Sequence, residues 1–344
     1  MKRRTQTLLV GAVPIVALAG VLSAPALSVP FAAQGPGPLF DVLSDVEGKS
    51  IIEVSGPSVD SKPSTGELDM TTVAVHHNLS LPQTIAMWLD SDNEIVPIEA
   101  VFPPGQSQEE VEEENKAAFT ESEANATSAA LAQLGLPTEV SVAYTVPGSN
   151  AEGKLHEGDV IISIDGIKAT KPDAVKDHVQ SLNPGDAVEL KVRGEDAAKE
   201  RTVAIELGEN PHAKGAALLG IGMSTQSAGQ TKVEYQLSGI GGPSAGLMLT
   251  LGVIDKLSPG DLTEGHHIAG TGTINAAGIV GEIGGIKHKI SAARDSGAEL
   301  FFVPAGNCVE ALTADAGDMK LVRVRNVDDA LAAIKNPGAA PSCS

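Results

Sequence analysis

The segment that most constrains the fold is YQLSGIGGPSAGLMLTLGVIDKL at 235–257, where a glycine-rich turn separates two different hydrophobic patterns. Before the turn, apolar and polar residues alternate over 232–237, as they do in a half-buried strand. After the turn, an apolar run over 247–254 predicts a buried helix. The segment therefore predicts a strand, a tight turn and a helix, with Ser244 at the start of the helix.

The glycines of this turn do not match the common phosphate-binding loops. The dinucleotide fingerprint begins at Gly239 and needs a third glycine where Ser244 stands. The lysine that a P-loop requires after its glycines is also missing. The GKS triplet at 48–50 ends like a P-loop, but Leu43 occupies the position of the first glycine. We therefore predict no ATP site, no other cofactor and no metal.

The same turn suits a nucleophilic serine. Pro243 fits the first turn of a helix, where its missing N–H costs nothing. Ser244 would then lie beside outward-pointing backbone N–H groups, which can stabilise an oxyanion. Gly242 and Gly246 have no side chains and would let a substrate backbone approach closely. The candidate oxyanion and substrate-approach residues are therefore Gly242, Pro243 and Gly246.

A serine nucleophile needs a base, and the sequence offers histidines and lysines. The histidine pair at 266–267 follows a polar loop, so we interpret it as exposed. The histidines at 76–77 and 288 have no Asp-containing frame. A lysine can serve when burial lowers its pKa from about 10.4 towards roughly 7–8. Lys287 and Lys289 precede a short helix of small and apolar residues and are the two lysine candidates.

Two motifs at this spacing resemble a known family. GGPSAGL at 241–247 and IAGTGTI followed by VGEIGGIKHKI within 268–290 closely resemble the proteolytic domain of Lon-type proteases, the S16 Ser–Lys dyad class. They are still more similar to ATP-independent, membrane-anchored bacterial proteins that join a PDZ domain to a Lon-like protease domain, the YlbL type. The resemblance is dense over 220–335.

The resemblance assigns roles to individual residues. It implies that Ser244 is the nucleophile and that Lys289, rather than Lys287, is the base. Lys287 lies two residues earlier on a helix and would face away. The resemblance also implies that Thr271 hydrogen-bonds the catalytic lysine. Gly241 departs from many Lon sequences, which carry an acidic residue there, so a feature that shapes the Lon site is missing.

A second resemblance covers 140–207, which is similar to a PDZ domain. The motifs are AEGKL at 151–155, GDVI at 158–161 and IDG at 164–166, followed by a helix near 171–182. Such a domain accepts an extended peptide at a sheet edge. No GLGF-like carboxylate loop is evident before residue 151, and a PDZ fold used only as a spacer is the alternative.

The chain before the PDZ segment is expected to form a linker, short strands and a helix. The Gly- and Pro-rich stretch at 32–42 is interpreted as a linker, and short apolar runs over 41–101 predict strands. A helix over 107–134 is indicated by the capping box of Ser107 and Glu110. On the resemblance, residues 65–75 and this helix are early elements of the protease domain, so the PDZ domain would be an insertion.

The N-terminus predicts export. Basic residues at 2–4 precede an apolar segment at 8–29 that is long enough to span a bilayer. Positive charge before it favours a single-pass anchor with the bulk of the chain outside the cytoplasm. A signal peptide cleaved near 24–26 is the alternative. Outside the cytosol a disulfide between Cys308 and Cys343 can persist, and two unpaired thiols remain the alternative.

The predicted fold class is α+β, a Lon-type protease domain of small sheets and helices with an inserted PDZ β-sandwich or barrel-like domain, preceded by one transmembrane helix. The net charge of −20 argues against nucleic acid, whose phosphates need Lys and Arg. The expected domains are a membrane anchor at 1–30, the N-terminal strands and helix at 31–135, the PDZ domain at 136–210, the proteolytic domain at 211–335 and a tail at 336–344.

These expectations combine into a serine endopeptidase that is independent of ATP and cleaves exported or membrane-proximal proteins, while the PDZ domain binds substrate peptide. Family analogy alone implies a homo-oligomer, a hexamer. Two alternatives stay open at this point. One is a non-catalytic PDZ adaptor on a Lon-like fold, and the other is a Ser–Lys amidase that acts on small molecules.

Overall fold

The computed structural model describes residues 28–46, 48–56, 64–194, 199–211, 213–228, 231–237 and 239–343. The anchor predicted at 1–30 lies outside these residues except for its last three positions. Within the described ranges, no helix is both long enough and apolar enough to cross a membrane.

The helices and strands alternate along most of the chain. The strands are β1 (Phe31–Asp41), β2 (Asp45–Val46), β3 (Lys49–Ser50), β4 (Ile52–Ser55), β5 (Glu67–His76), β6 (Glu94–Pro97), β7 (Thr138–Thr145), β8 (Val160–Ile164), β9 (Ile167–Lys168), β10 (Ala187–Arg193), β11 (Glu200–Glu206), β12 (Gly208–Glu209), β13 (Ala217–Leu218), β14 (Ile221–Ser227), β15 (Lys232–Tyr235), β16 (His267–Gly270), β17 (Thr273–Ile274), β18 (Val280–Gly281), β19 (Leu300–Pro304) and β20 (Lys320–Val324). The α-helices are α1 (Leu81–Trp88), α2 (Gln108–Gln133), α3 (Pro172–Gln180), α4 (Gly246–Leu257), α5 (Ile286–Ser296), α6 (Cys308–Ala311) and α7 (Val327–Lys335). Short 3₁₀ turns are Ile98–Ala100, Pro243–Ala245, Ala305–Asn307 and Pro337–Ala339.

A mixed six-stranded sheet in the order β20-β19-β16-β5-β1-β6 carries a hydrophobic core on each face. Strand β5 pairs in parallel with β16, from Glu67 opposite His267 to Met70 opposite Gly270. Strand β1 pairs with β5 and β6 in the antiparallel sense. Three strands from the first hundred residues and three from the last eighty therefore share one sheet.

Helices cover both faces of this sheet. Because strand side chains alternate, Phe301 and Phe302 of β19 point to opposite faces. Phe302 belongs to the core that also holds residues of α2, α4 and α7. Phe301 packs with the apolar residues of α5. Aliphatic side chains, alanine and a few phenylalanines thus fill a core in which aromatic residues are scarce.

The stretch at 32–42 is not a linker, as the sequence suggested, but most of β1. Gly37 explains how a Gly/Pro-rich segment can enter the sheet. A Cβ on Gly37 would lie 2.3 Å from Thr72 Oγ1 and 2.8 Å from the Thr72 carbonyl carbon, so only glycine allows this close approach. The register shifts between Pro36 and Leu39, a bulge that accommodates residues without a backbone N–H.

A third core lies on a separate sheet in the order β11-β10-β8-β7-β14, with α3 packed beside it. Its apolar residues run from Val140 to Leu219, and its last strand, β14, pairs with its first, β7. This body therefore extends to Ser227, past the boundary at 210 that the sequence suggested. The missed strand has a weak signal, because polar residues follow Ile221 and Met223 instead of a continued alternation.

Locally encoded elements agree with the sequence. The helix predicted over 107–134 is confirmed as α2, and Ser107 and Glu110 form both hydrogen bonds of the capping box. The helix expected near 171–182 is α3, and the strand expected over 232–237 is β15.

A disulfide joins Cys308 of α6 to Cys343, and both residues are buried. The C-terminal tail is also held to β20, since Cys343 N donates to Leu321 O at 3.1 Å and Arg323 N donates to Pro341 O at 2.8 Å. Of the two states that the sequence left open, the structure contains the bonded one.

Candidate active site

Ser244 lies in the 3₁₀ turn Pro243–Ala245 that leads directly into α4. Gly242 precedes the turn with φ +84°, a conformation that favours glycine, and no atom lies within 4 Å of the position of a Cβ there. Every residue of α4 except Lys256 is buried, so the helix holds the serine from behind.

Lys289 lies in the first turn of α5, and its side chain points to the serine. Its Nζ donates to Ser244 Oγ at 2.7 Å, and the residue is only 2% exposed. Lys287, the other lysine candidate, is exposed. The tertiary structure therefore brings Lys289, and not Lys287, to Ser244.

Thr271 connects the serine and the lysine. Its hydroxyl accepts a hydrogen bond from Lys289 Nζ at 2.9 Å and donates one to the carbonyl oxygen of Ser244 at 3.1 Å. The same carbonyl accepts a hydrogen bond from Gly272 N at 2.9 Å. Because Thr271 is fully buried, these contacts fix its hydroxyl so that a lone pair faces Lys289.

Burial gives Lys289 the acid–base property that a base requires. Removal from water disfavours the ammonium form and lowers the pKa of Lys289 to about 7. A lysine with such a pKa is partly neutral at neutral pH and can accept the proton of an adjacent hydroxyl.

The backbone contacts narrow the candidate oxyanion donors. Gly242 N donates to Asn115 O at 2.8 Å, so this N–H is already engaged. Pro243 has no N–H. The backbone N–H of Ser244 itself is the remaining candidate in the segment 242–244.

Gly246 does not face a substrate, contrary to the sequence-based interpretation. A Cβ on Gly246 would lie 2.6 Å from Ile274 Cγ2 and 2.9 Å from Ser122 Oγ. The residue is glycine because α4 is tightly packed at this point, which is a requirement of the core.

A cleft of 640 Å³ opens beside Ser244. Its walls come from β1, β5, the glycine-rich turn and the segment before α5; the lining residues are Pro38, Phe40, Met70, Thr71, Thr72, Val73, Gly239, Ile240, Gly241, Gly242, Pro243, Ser244, Ala245, Thr273, Glu282, Ile283, Gly284 and Lys289. Pairing between β16 and β5 stops at Met70, whereas β5 continues to His76. Residues 71–73 of β5, which line the cleft, therefore lie beyond the last residue that pairs with β16.

The histidines lie elsewhere. His267 is not in an exposed loop, as the sequence suggested, but begins β16 and is half-buried. Its Nε2 lies 2.8 Å from Asp69 Oδ2 and 3.3 Å from Glu67 Oε2. Among the described residues these three form a group with the ligand atoms for a metal ion, although the contact with Asp69 already pairs the imidazole. The buried ring of His288 has Nδ1 3.0 Å from Asp92 O.

Sequence reasoning missed the contacts that α2 makes with the serine turn and the edge of the smaller sheet. Ser122 Oγ donates to Pro243 O at 3.0 Å, and no motif marks this residue. Strand β14 lies at the edge of its sheet and near α3. The segment LGIG at 219–222 includes the first two residues of β14, with Gly220 at φ +78° just before the strand. A glycine-containing segment is thus present near the end of this domain, which runs to Ser227, and not before residue 151 where one was sought.

Part of the chain is similar to known proteases. Residues 239–335 match the model of the Lon protease (S16) C-terminal proteolytic domain. The Lon protease of Campylobacter concisus (strain 13826) is 35% identical over 94 residues, 26% of this chain and 11% of that protein. The Lon protease of Phenylobacterium zucineum (strain HLK1) is 34% identical over 104 residues, 28% of this chain and 12% of that protein. The chain thus spans about a ninth of the length of these curated relatives.

Solved structures similar to the chain include PDZ domains. The PDZ domain of an SdrC-like protein from Listeria monocytogenes has 26% identity and a TM-score of 0.23, covering 25% of this chain and 86% of that one. The PDZ domain of an SdrC-like protein from Listeria innocua has 28% identity and a TM-score of 0.23, covering 25% of this chain and 92% of that one.

The segment at 239–335, which carries Ser244, Thr271 and Lys289, is therefore similar to the proteolytic domain of the Lon (S16) proteases. The sheet of β7, β8, β10, β11 and β14 contains the stretch at 140–207 that the sequence predicts to be a PDZ-like domain.

Proposed function

We propose that the protein is a serine endopeptidase that uses Ser244 and Lys289 as a catalytic dyad and needs no ATP. The observation that carries the proposal is the 2.7 Å contact between Lys289 Nζ and Ser244 Oγ at the floor of an open cleft. A buried lysine whose pKa lies near 7 is matched to proton transfer at neutral pH.

The reaction would proceed through an acyl-enzyme. Neutral Lys289 takes the hydroxyl proton while Ser244 Oγ forms a bond to the substrate carbonyl carbon. The Ser244 N–H, at the start of a helix, faces the developing oxyanion. Collapse of the tetrahedral intermediate breaks the C–N bond, and Lys289 returns its proton to the leaving amine. A water molecule, deprotonated by Lys289 in turn, then releases the acyl group.

The cleft favours a peptide over a small amide. The strand at 71–73 continues past its β16 partner, and such an edge holds an extended peptide by main-chain hydrogen bonds. The PDZ-like domain would bind another part of the same substrate polypeptide along β14, beside α3. These two extended surfaces disfavour the small-molecule amidase.

Where the enzyme acts is inferred from the N-terminal sequence and the disulfide. The basic and apolar segment at 1–30 would anchor the chain in the cell membrane, and disulfides persist mainly outside the cytosol. We therefore place the protease domain on the extracytoplasmic side, with unfolded or membrane-proximal proteins as substrates. Assembly into a ring, by family analogy a hexamer, belongs to the same proposal.

The test is cleavage of casein and of unfolded peptides by the full chain in detergent, without nucleotide. Wild type should cleave, and Ser244→Ala and Lys289→Ala should each lose at least about a thousand-fold in kcat/KM. Lys287→Ala is the matched control and should retain wild-type activity, because this lysine is exposed. Full activity of Ser244→Ala would exclude the dyad, and peptide binding without cleavage by wild type would favour the adaptor.

A further inference from the structure

Helix α2 holds the serine turn at two successive residues. The carbonyl of Asn115 accepts a hydrogen bond from Gly242 N at 2.8 Å. At the next residue of the turn, the carbonyl oxygen of Pro243 accepts a hydrogen bond from Ser122 Oγ at 3.0 Å. The helix itself is packed between α4 and β14, so both groups are presented by a fixed element.

The carbonyl that Ser122 binds belongs to the peptide group that ends at the nitrogen of Ser244. A trans peptide is planar, and its C=O and N–H point in opposite directions. No cis peptide bond occurs among the described residues. The direction of Pro243 C=O therefore sets the direction of the Ser244 N–H, which is the candidate oxyanion donor.

We propose that Ser122 is a positioning residue that aims the oxyanion donor of the active site. Its hydroxyl holds the Pro243 carbonyl oxygen of the 243–244 peptide group by a hydrogen bond, so that the Ser244 N–H on the opposite side points into the cleft. A hydrogen bond to the carbonyl also polarises the peptide group and strengthens the N–H as a donor. This role rests on the proposed Ser244 chemistry and requires no contact between Ser122 and substrate.

The hydroxyl of Ser122 lies in a buried, closely packed position beside the serine turn. The residue is 3% exposed, and its Oγ lies only 2.9 Å from the position that a Cβ on Gly246 would occupy. The absent side chain of Gly246 thus makes room for the hydroxyl beside the turn. Removing the hydroxyl leaves the carbonyl of Pro243 without this donor and releases the peptide plane.

The experiment compares Ser122→Ala with Ser128→Ala in the full chain. Ser128 is a buried serine on the same helix, but its Oγ donates to Ala124 O within α2. We expect Ser122→Ala to lower kcat roughly ten- to hundred-fold with KM unchanged, because an oxyanion donor acts on the transition state. The pH midpoint of the rate should not move, because Lys289 is untouched. Ser128→Ala should keep wild-type kcat.

A second variant covers the case in which Ser122→Ala fails to fold. Ser122→Cys keeps a weak donor of similar volume and should retain a kcat between those of Ser122→Ala and wild type, with unchanged KM. Equal kcat for the Ser122 and Ser128 variants, or a change confined to KM, would overturn the positioning role. If Ser244→Ala is inactive at the same time, the dyad stands and only this inference fails; an active Ser244→Ala would reject both.

Discussion

Lys289 Nζ donates a hydrogen bond to Ser244 Oγ at 2.7 Å, although 45 residues separate them in the chain. The two side chains come from the starts of two different helices, α4 and α5, which pack against opposite faces of one sheet. Strand β16 and the residues that follow it run between them and supply Thr271. The contact is therefore a property of the whole core, since each partner is held by a different layer.

The rate of cleavage should depend on one ionisation near neutrality. Because the pKa of Lys289 is lowered to about 7 by burial, kcat/KM should rise about ten-fold per pH unit below 7 and level off above it. The measurement is a kcat/KM profile from about pH 5 to 9. Lys287→Ala should give the same midpoint, and a midpoint above about 9 would point to an exposed lysine instead.

Replacing Thr271 by Val should weaken catalysis by Lys289 and lower the pKa of this lysine. The variant loses the hydroxyl that accepts from Lys289 Nζ while retaining the shape of the side chain. A hydrogen bond to the charged form raises a pKa, so its loss should shift the midpoint of the pH profile below 7. We expect kcat/KM to fall roughly ten- to hundred-fold. Thr250→Val, which removes a buried hydroxyl bonded to Gly246 O, should leave the midpoint in place.

Lys289 should cost the protein stability at neutral pH. Its pKa is near 7 in the folded state against 10.5 when unperturbed, so between these values the unfolded state binds the extra proton. The destabilisation caused by Lys289 therefore decreases, and the free energy of unfolding rises, as pH increases from 7 towards 10.5. Lys289→Met removes this penalty but also removes the hydrogen bonds of the lysine. The net effect should be a free energy of unfolding that is higher by roughly 2–4 kcal/mol at pH 7. Denaturant titrations should show this difference shrinking by pH 9 or above; a constant difference would contradict the assignment.

The disulfide should contribute a large part of the stability of the C-terminal region. Cys308 and Cys343 close a loop with a sequence separation of 35, for which the loop-entropy model gives about 3–4 kcal/mol. Cys343→Ser should lower the free energy of unfolding by about this amount in urea. Reducing agent should lower the stability of wild type similarly and leave the variant unchanged. Equal stability of wild type with and without reductant would show that the bond contributes nothing.

What the sequence determined was encoded over short distances. The start of α2 follows from Ser107 and Glu110, which satisfy each other's backbone groups within one turn. The serine turn and its helix follow from glycines, Pro243 and an apolar run. The choice of Lys289 over Lys287 came from the resemblance to the Lon-type motif, and helix geometry added only that two lysines two residues apart face different directions.

The tertiary structure decided what depends on partners far away in the chain. A glycine-rich stretch can form β1 because Gly37 has no side chain, which lets Thr72 of the neighbouring strand approach closely. Gly246 proved to be a packing residue because Ile274 and Ser122 fill the space beside it. The smaller sheet is completed by β14, which pairs with a strand some eighty residues earlier. None of these contacts leaves a periodic signal, since the partner that makes each residue necessary belongs to another element.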